Sequence, residues 1–122
     1  MAGDVDATAL DFDAWCTRHI RPWFEDHMRC DGDRMRRWSG GDVDLRGNLP
    51  SDLIVAAADA DPRLRPLVEP YARMQVLPES LDALQSVARA IYRSGWRPTF
   101  PAGPTRDELA QLCVGRELLT QV

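Results

Sequence analysis

Along most of this chain apolar residues return every three or four positions, and no segment sustains an apolar–polar alternation. That spacing is the period of an amphipathic helix and not of a half-buried strand. Phe12, Trp15, Cys16, His19, Trp23 and Phe24 follow it first, with Asp11 and Asp13 placed to cap the helix they define. Pro22 falls inside this run and removes a backbone donor, so a kink or a restart is expected there. "DGDRMRRW" (31–38) reads as a short helix, and the polar, glycine-rich "SGGDVDLRGNLP" (39–50) reads as a loop.

Ser51 is expected to be the N-cap of a helix over "DLIVAAADA", with the charge of Asp52 favourable in its first turn. Pro62 suits the first turn of the next helix, which runs through Leu64, Leu67, Val68 and Tyr71 to Met74 with Pro66 and Pro70 as interruptions. "PESLDALQSVARAIYRSG" (78–95) is the most regular segment. Its Leu81, Leu84, Val87, Ala88, Ile91 and Tyr92 share one face, and Gly95 suits its C-terminal cap. "WRPTFPAGP" (96–104) should be extended, and Thr105 should cap a last helix over "RDELAQLCVGRELL". The expected fold is all-α: a compact bundle of about five to six short helices forming a single domain over 11–122, behind a flexible leader over 1–10.

Composition narrows the function more than the fold. With 44% apolar residues in 122, the chain can build a real core. Its longest apolar run, Leu53 to Ala58, is too short to span a bilayer, and the acidic N-terminus lacks the pattern of a signal peptide. A cytoplasmic location is therefore expected. Cys16, Cys30 and Cys113 form no CxxC pair and are expected as reduced, mostly buried thiols. All 15 basic residues are arginine, which removes Schiff-base and P-loop lysine chemistry. A net charge of −4 with no basic stripe argues against a nucleic-acid partner.

The densest candidate chemistry lies in "RHIRPWFEDHMRC" (18–30). Trp15, His19, Trp23 and His27 recur every four residues and would form one stripe on a straight helix. The two histidines would then stand about 12 Å apart, too far to share one metal ion, so no metal is expected. The plainer reading is a pair of half-buried histidines beside tryptophans. The sharper one is acid–base work by His19, Glu25, Asp26 or His27, because an apolar lining shifts the pKa of a carboxyl or imidazole group. Consecutive helical residues diverge by about 100°, so only one or two of Glu25, Asp26 and His27 can face one pocket. The expected pocket is lined by Trp15 and Trp23, carries a histidine at its edge, and is shared with Tyr92, Trp96 and Arg97. Trp38 and Trp96 are otherwise simply core plugs on loops.

"WCTRHIRPWFEDHMRCDGDRMRRWSGGDVDL", "LPSDLIVAAADADPRL" and "IYRSGWRPTFPAGPTRDEL" resemble the C-terminal region of actinobacterial FAD-dependent oxidoreductases, flavin monooxygenases broadly similar to styrene monooxygenases. The resemblance runs from about Phe12 to about Leu112, and "RPWFEDH", "LPSDLI" and "GWRP" are its most specific pieces. The eight glycines never take the GxGxxG spacing that lets backbone amides reach a dinucleotide pyrophosphate, so no cofactor is expected. What the resemblance implies is the helical part of such an enzyme without its flavin-binding body. It would retain a substrate-facing surface and take an apolar small molecule or a flavoprotein partner, with a homo-oligomer as a further option. The alternative is a cofactor-free cyclase or isomerase of specialised metabolism that moves protons on the same surface.

Overall fold

The computed structural model describes the backbone of residues 2–99 and 103–120 and the side chains of 5–99 and 103–115. Among these residues there is no strand, and six α-helices follow one another: α1 (Ala2–His19), α2 (Arg21–Trp38), α3 (Ser51–Ala56), α4 (Arg65–Ala72), α5 (Gln85–Arg93) and α6 (Arg106–Thr120). Short 3-10 turns at Ala57–Asp59, Pro62–Leu64 and Pro78–Leu84 join the middle elements. The all-α expectation holds. No helix among the described residues is long and apolar enough to cross a membrane.

The core gathers on the short α3. Leu53, Ile54, Ala57 and Ala58 pack against Leu64, Val68, Leu81, Leu84, Ala88 and Tyr92, and Leu49 closes the cluster from the preceding loop. Tyr92 is fully buried, and its hydroxyl donates to the Leu53 carbonyl, so α5 is fastened to α3 by a satisfied polar group inside the core. Gln85 grips the backbone of Leu49 from both sides: Leu49 N–H donates to Oε1 (2.9 Å) and Nε2 donates to the Leu49 carbonyl (3.0 Å). That side-chain amide holds the 39–50 loop onto the start of α5.

Several boundaries differ from expectation for local reasons. Residues 2–10, expected as a flexible leader, belong to α1, since no proline interrupts them and Asp11 and Asp13 lie inside the helix. Pro22 does break the chain: α1 ends at His19, Ile20 is the turn, and α2 restarts with the proline in its first turn. α2 then absorbs the expected 31–38 helix, running through Gly32 to Trp38. Pro50, not Ser51, is the N-cap of α3, which frees the Ser51 hydroxyl for another partner. The first two turns of the 78–95 segment are wound as 3-10, which aligns Leu81 with Leu84, and the four-residue step from Leu84 to Ala88 and Tyr92 then fixes the buried line. Val87 falls off that line and is exposed. Thr105 caps α6 as expected, with Glu108 N–H donating to Thr105 Oγ1 and Thr105 N–H donating to Glu108 Oε2. Phe100, Pro101 and Ala102 of the expected extended loop lie outside the described residues.

Among the described residues, α1 packs against no element other than α2, and α6 packs against none. Among these residues the body of the molecule is therefore α2 to α5, with α1 joined to it through α2 and α6 standing apart.

Candidate functional site

α2 turns one face inward. Trp23 and Asp26, with Cys30, Asp33 and Arg37 in the following turns, keep a three- or four-residue spacing and are half-buried or buried. Asp26 is only 8% exposed. Its Oδ1 accepts a hydrogen bond from the Ser51 hydroxyl and its Oδ2 accepts one from the Tyr71 hydroxyl. Trp23 stacks on the Tyr71 ring with centroids 5.4 Å apart. One carboxylate thus joins α2, α3 and α4. Burial first, and the neighbouring Asp26 second, push the Tyr71 phenol above its ordinary range, so it stays a proton donor. One turn on, burial pushes the Cys30 thiol up as well, so it is no thiolate nucleophile.

Two turns further, Arg37 Nε donates to Asp33 Oδ2 (2.6 Å) and Arg37 Nη2 donates to Asp52 Oδ2 (3.1 Å), while Arg34 Nε stands 3.5 Å from the same Asp52 oxygen. This part-buried ion cluster pins α2 to the first turn of α3. Asp52, expected as a helix-start charge, does both jobs.

Beside Asp26 lies a cleft of about 190 Å³ bordered by Pro22, Glu25, Arg29, Ser51 and Gln85. It brings Glu25 and Asp26 to one surface, as the sequence allowed for two of the three acid–base candidates. Glu25 is engaged with Arg21 at its own helix surface, where Arg21 Nε donates to Oε1 (3.0 Å). No imidazole borders the cleft.

His19 and His27 are both exposed, on the flanks of the helices. Each donates its Nδ1–H to the carbonyl four residues earlier, Trp15 at 2.9 Å and Trp23 at 2.8 Å, since a carbonyl can only accept. His19 also stacks on Trp15 with centroids 4.6 Å apart. The remaining candidates serve the fold. Tyr92 is core, Trp96 packs against it at 5.5 Å, and the Arg97 guanidinium lies 5.9 Å from the Tyr92 ring. Arg97 clamps Asp42 with two bonds, of 2.8 and 3.0 Å, and donates to the carbonyls of Tyr92 and Trp96. Among the described residues, none of Trp15, His19, Trp23, His27, Tyr92, Trp96 and Arg97 borders the clefts of about 190, 780 and 380 Å³. Trp38 is no core plug either: it is 80% exposed. Among the described residues no group of three or more His, Cys, Asp or Glu is placed to hold a metal ion.

Ser51 and Tyr71 are the residues sequence reasoning missed. Tyr71 carried the signal of an ordinary core position, and Ser51 that of a helix cap. Only the pairing of their helices with α2 brings their hydroxyls to one carboxylate.

The most unusual surface is α1. Val5, Ala9, Phe12, Cys16 and His19 keep the stripe that Trp23, Asp26 and Cys30 continue in α2. In α2 this face is covered by the body. Among the described residues of α1 this face is largely exposed: Phe12 is 65% exposed, Trp15 is 47% exposed, and Cys16 is half-buried. Past the break, Ile20 and Phe24 are exposed too. Compared with protein-family models, with curated proteins and with solved structures, this chain matches none.

Proposed function

We propose that this protein is a helical docking module whose α1 helix and adjoining turn of α2 form the contact face for a partner protein. The observation that carries the reading is the set of exposed apolar side chains on α1 and the adjoining turn, Val5, Phe12, Trp15, Ile20 and Phe24, next to an α2 face that is buried. An 18-residue helix standing alone in water is marginal, and most helical stability comes from packing an apolar face. Exposed aromatics of this density mark interaction sites in folded proteins. The site chemistry supports binding over turnover: the hydroxyls around Asp26 are spent on holding helices together, and the imidazoles stand on an outer surface away from the clefts.

The partner that the sequence resemblance suggests is a flavin-binding oxidoreductase body, which this chain would complete. The test is co-purification with a flavin-binding oxidoreductase body from the same source, followed by titration of the two purified proteins. The expected result is a stable complex that carries the flavin colour. Phe12→Asp should weaken it by about 2 kcal/mol, roughly thirtyfold, as for a central aromatic of an interface. Phe12 is exposed, so the isolated fold should survive the change. An unaltered affinity in this variant, or no complex at all, would overturn the reading.

A further inference from the structure

We propose that α1 docks into an apolar groove with a basic rim, its lysines or arginines lying along the helix edge that carries Asp6 and Asp13. The proposal rests on the docking reading above and adds the chemistry of the surface that covers the face. Asp6 and Asp13 stand two helical turns apart, so they share one edge of α1. That edge lies about 80–100° round the helix from the line of Val5, Phe12 and Cys16. Asp11 flanks the same line from the other side, beyond Trp15. All three aspartates are exposed.

The way this chain treats its other acids sets these three apart. Between Arg21 and Arg73 every acidic residue except the buried Asp26 forms an ion pair with an arginine, several of them one turn away on the same helix. Asp6, Asp11 and Asp13 form none among the described residues. The sequence gives the reason, since no arginine lies within four residues of any of them. The helix macrodipole does not account for them either. Its pull on an acid fades within the first turn, and all three lie beyond it. The one arginine of α1, Arg18, stands at the opposite end of the helix. Carboxylates and aromatics that the chain itself leaves unspent thus share one exposed surface. An amphipathic helix seats its apolar side in a groove, and opposite charges at the rim set its register and exclude acidic partners.

The test uses two synthetic peptides of 18 residues, the length of α1, cross-linked into helices and built on one leucine stripe. One carries lysines on both flanks and the other carries glutamates. Each is titrated into the whole chain at low ionic strength, where surface charges are least screened. The expected result is saturable binding of the lysine peptide at least about tenfold tighter than the glutamate peptide, as two or three exposed ion pairs allow. Asp6→Asn combined with Asp13→Asn should close most of that gap. Glu79→Gln combined with Asp82→Asn makes the same change in net charge at exposed acids elsewhere, and should leave the gap open. Phe12→Ala should weaken both peptides, and an unchanged helical circular dichroism spectrum confirms that each variant folds. Equal affinities that both fall in Phe12→Ala would overturn the basic rim while the docking face stands. Binding of neither peptide, or binding indifferent to Phe12→Ala, would overturn both. A gap closed as far by the Glu79 and Asp82 pair would reduce the effect to overall charge and overturn the proposal.

Discussion

Asp42 and Arg97 show a surface ion pair working for the fold. The paired hydrogen bonds from Arg97 come first, and the Val43 amide second, in holding the Asp42 carboxyl down from an ordinary 3.8 to about 2. A depressed carboxyl contributes stability that is present above its unfolded pKa and lost as pH falls through the folded one. The loss should therefore fall between about pH 4 and about pH 2, and Asp42→Asn should flatten the acid limb of a stability–pH curve in that window. Cysteine behaviour gives a second outcome at this scale. Cys113 is exposed and Cys30 is buried with a raised thiol pKa, so a thiol reagent at mildly alkaline pH should modify Cys113 at once and Cys30 only on unfolding. Prompt labelling of Cys30 in the native protein would contradict its placement. At this scale the sequence was a weak guide. The four-residue step would put Trp15, His19, Trp23 and His27 along one side of a straight helix, but the break at Ile20 divides them between α1 and α2, with Trp23 half-buried and His27 exposed. A period cannot tell where along that side a neighbouring helix begins, and here the neighbour begins at Trp23.

Helix ends were more legible than helix interiors. Gly95 at the end of α5 adopts a positive φ of 98°, as its position after an apolar run suggested, and Thr105 opens α6 because Glu108 stands three residues on. The end of α4 is different. Gln75 N–H donates to the Pro70 carbonyl (2.8 Å) and Met74 N–H donates to Tyr71 (2.8 Å), a closing pattern that places Met74 at φ 58°, where glycine is usual. A β-carbon is strained there, and the Met74 side chain is exposed, so little packing offsets it. Met74→Gly should raise stability by about 0.5–1 kcal/mol, seen as a higher denaturant midpoint at unchanged slope. A lower midpoint would show that Met74 packs in solution. The sequence pattern ran this helix on to Met74 because hydrophobicity carries no record of φ. It likewise split α2 at Gly32, although a glycine inside a helix costs only about 1 kcal/mol and packing overrides it.

At the scale of the whole molecule, one buried cluster around α3 holds α4 and α5, α2 is tied to it through Asp26 and the Arg37–Asp52 pair, and among the described residues α1 and α6 stay outside it. The helical class was legible because every strong pattern shared one period. That the body would stop at Trp23, leaving the same stripe bare through α1, was not, because bare and covered apolar faces look alike in sequence. A docking face requires that α1 be unprotected by its own chain. Amide hydrogen exchange on dilute monomer measures this directly. The α1 amides should exchange within about tenfold of unprotected rates, while those of α3 and α5 follow global unfolding. Adding the proposed flavoprotein partner should then slow exchange in α1 and in the turn around Ile20. If α1 in the isolated monomer is as protected as α5, its apolar face is already covered from within, and the docking reading is wrong.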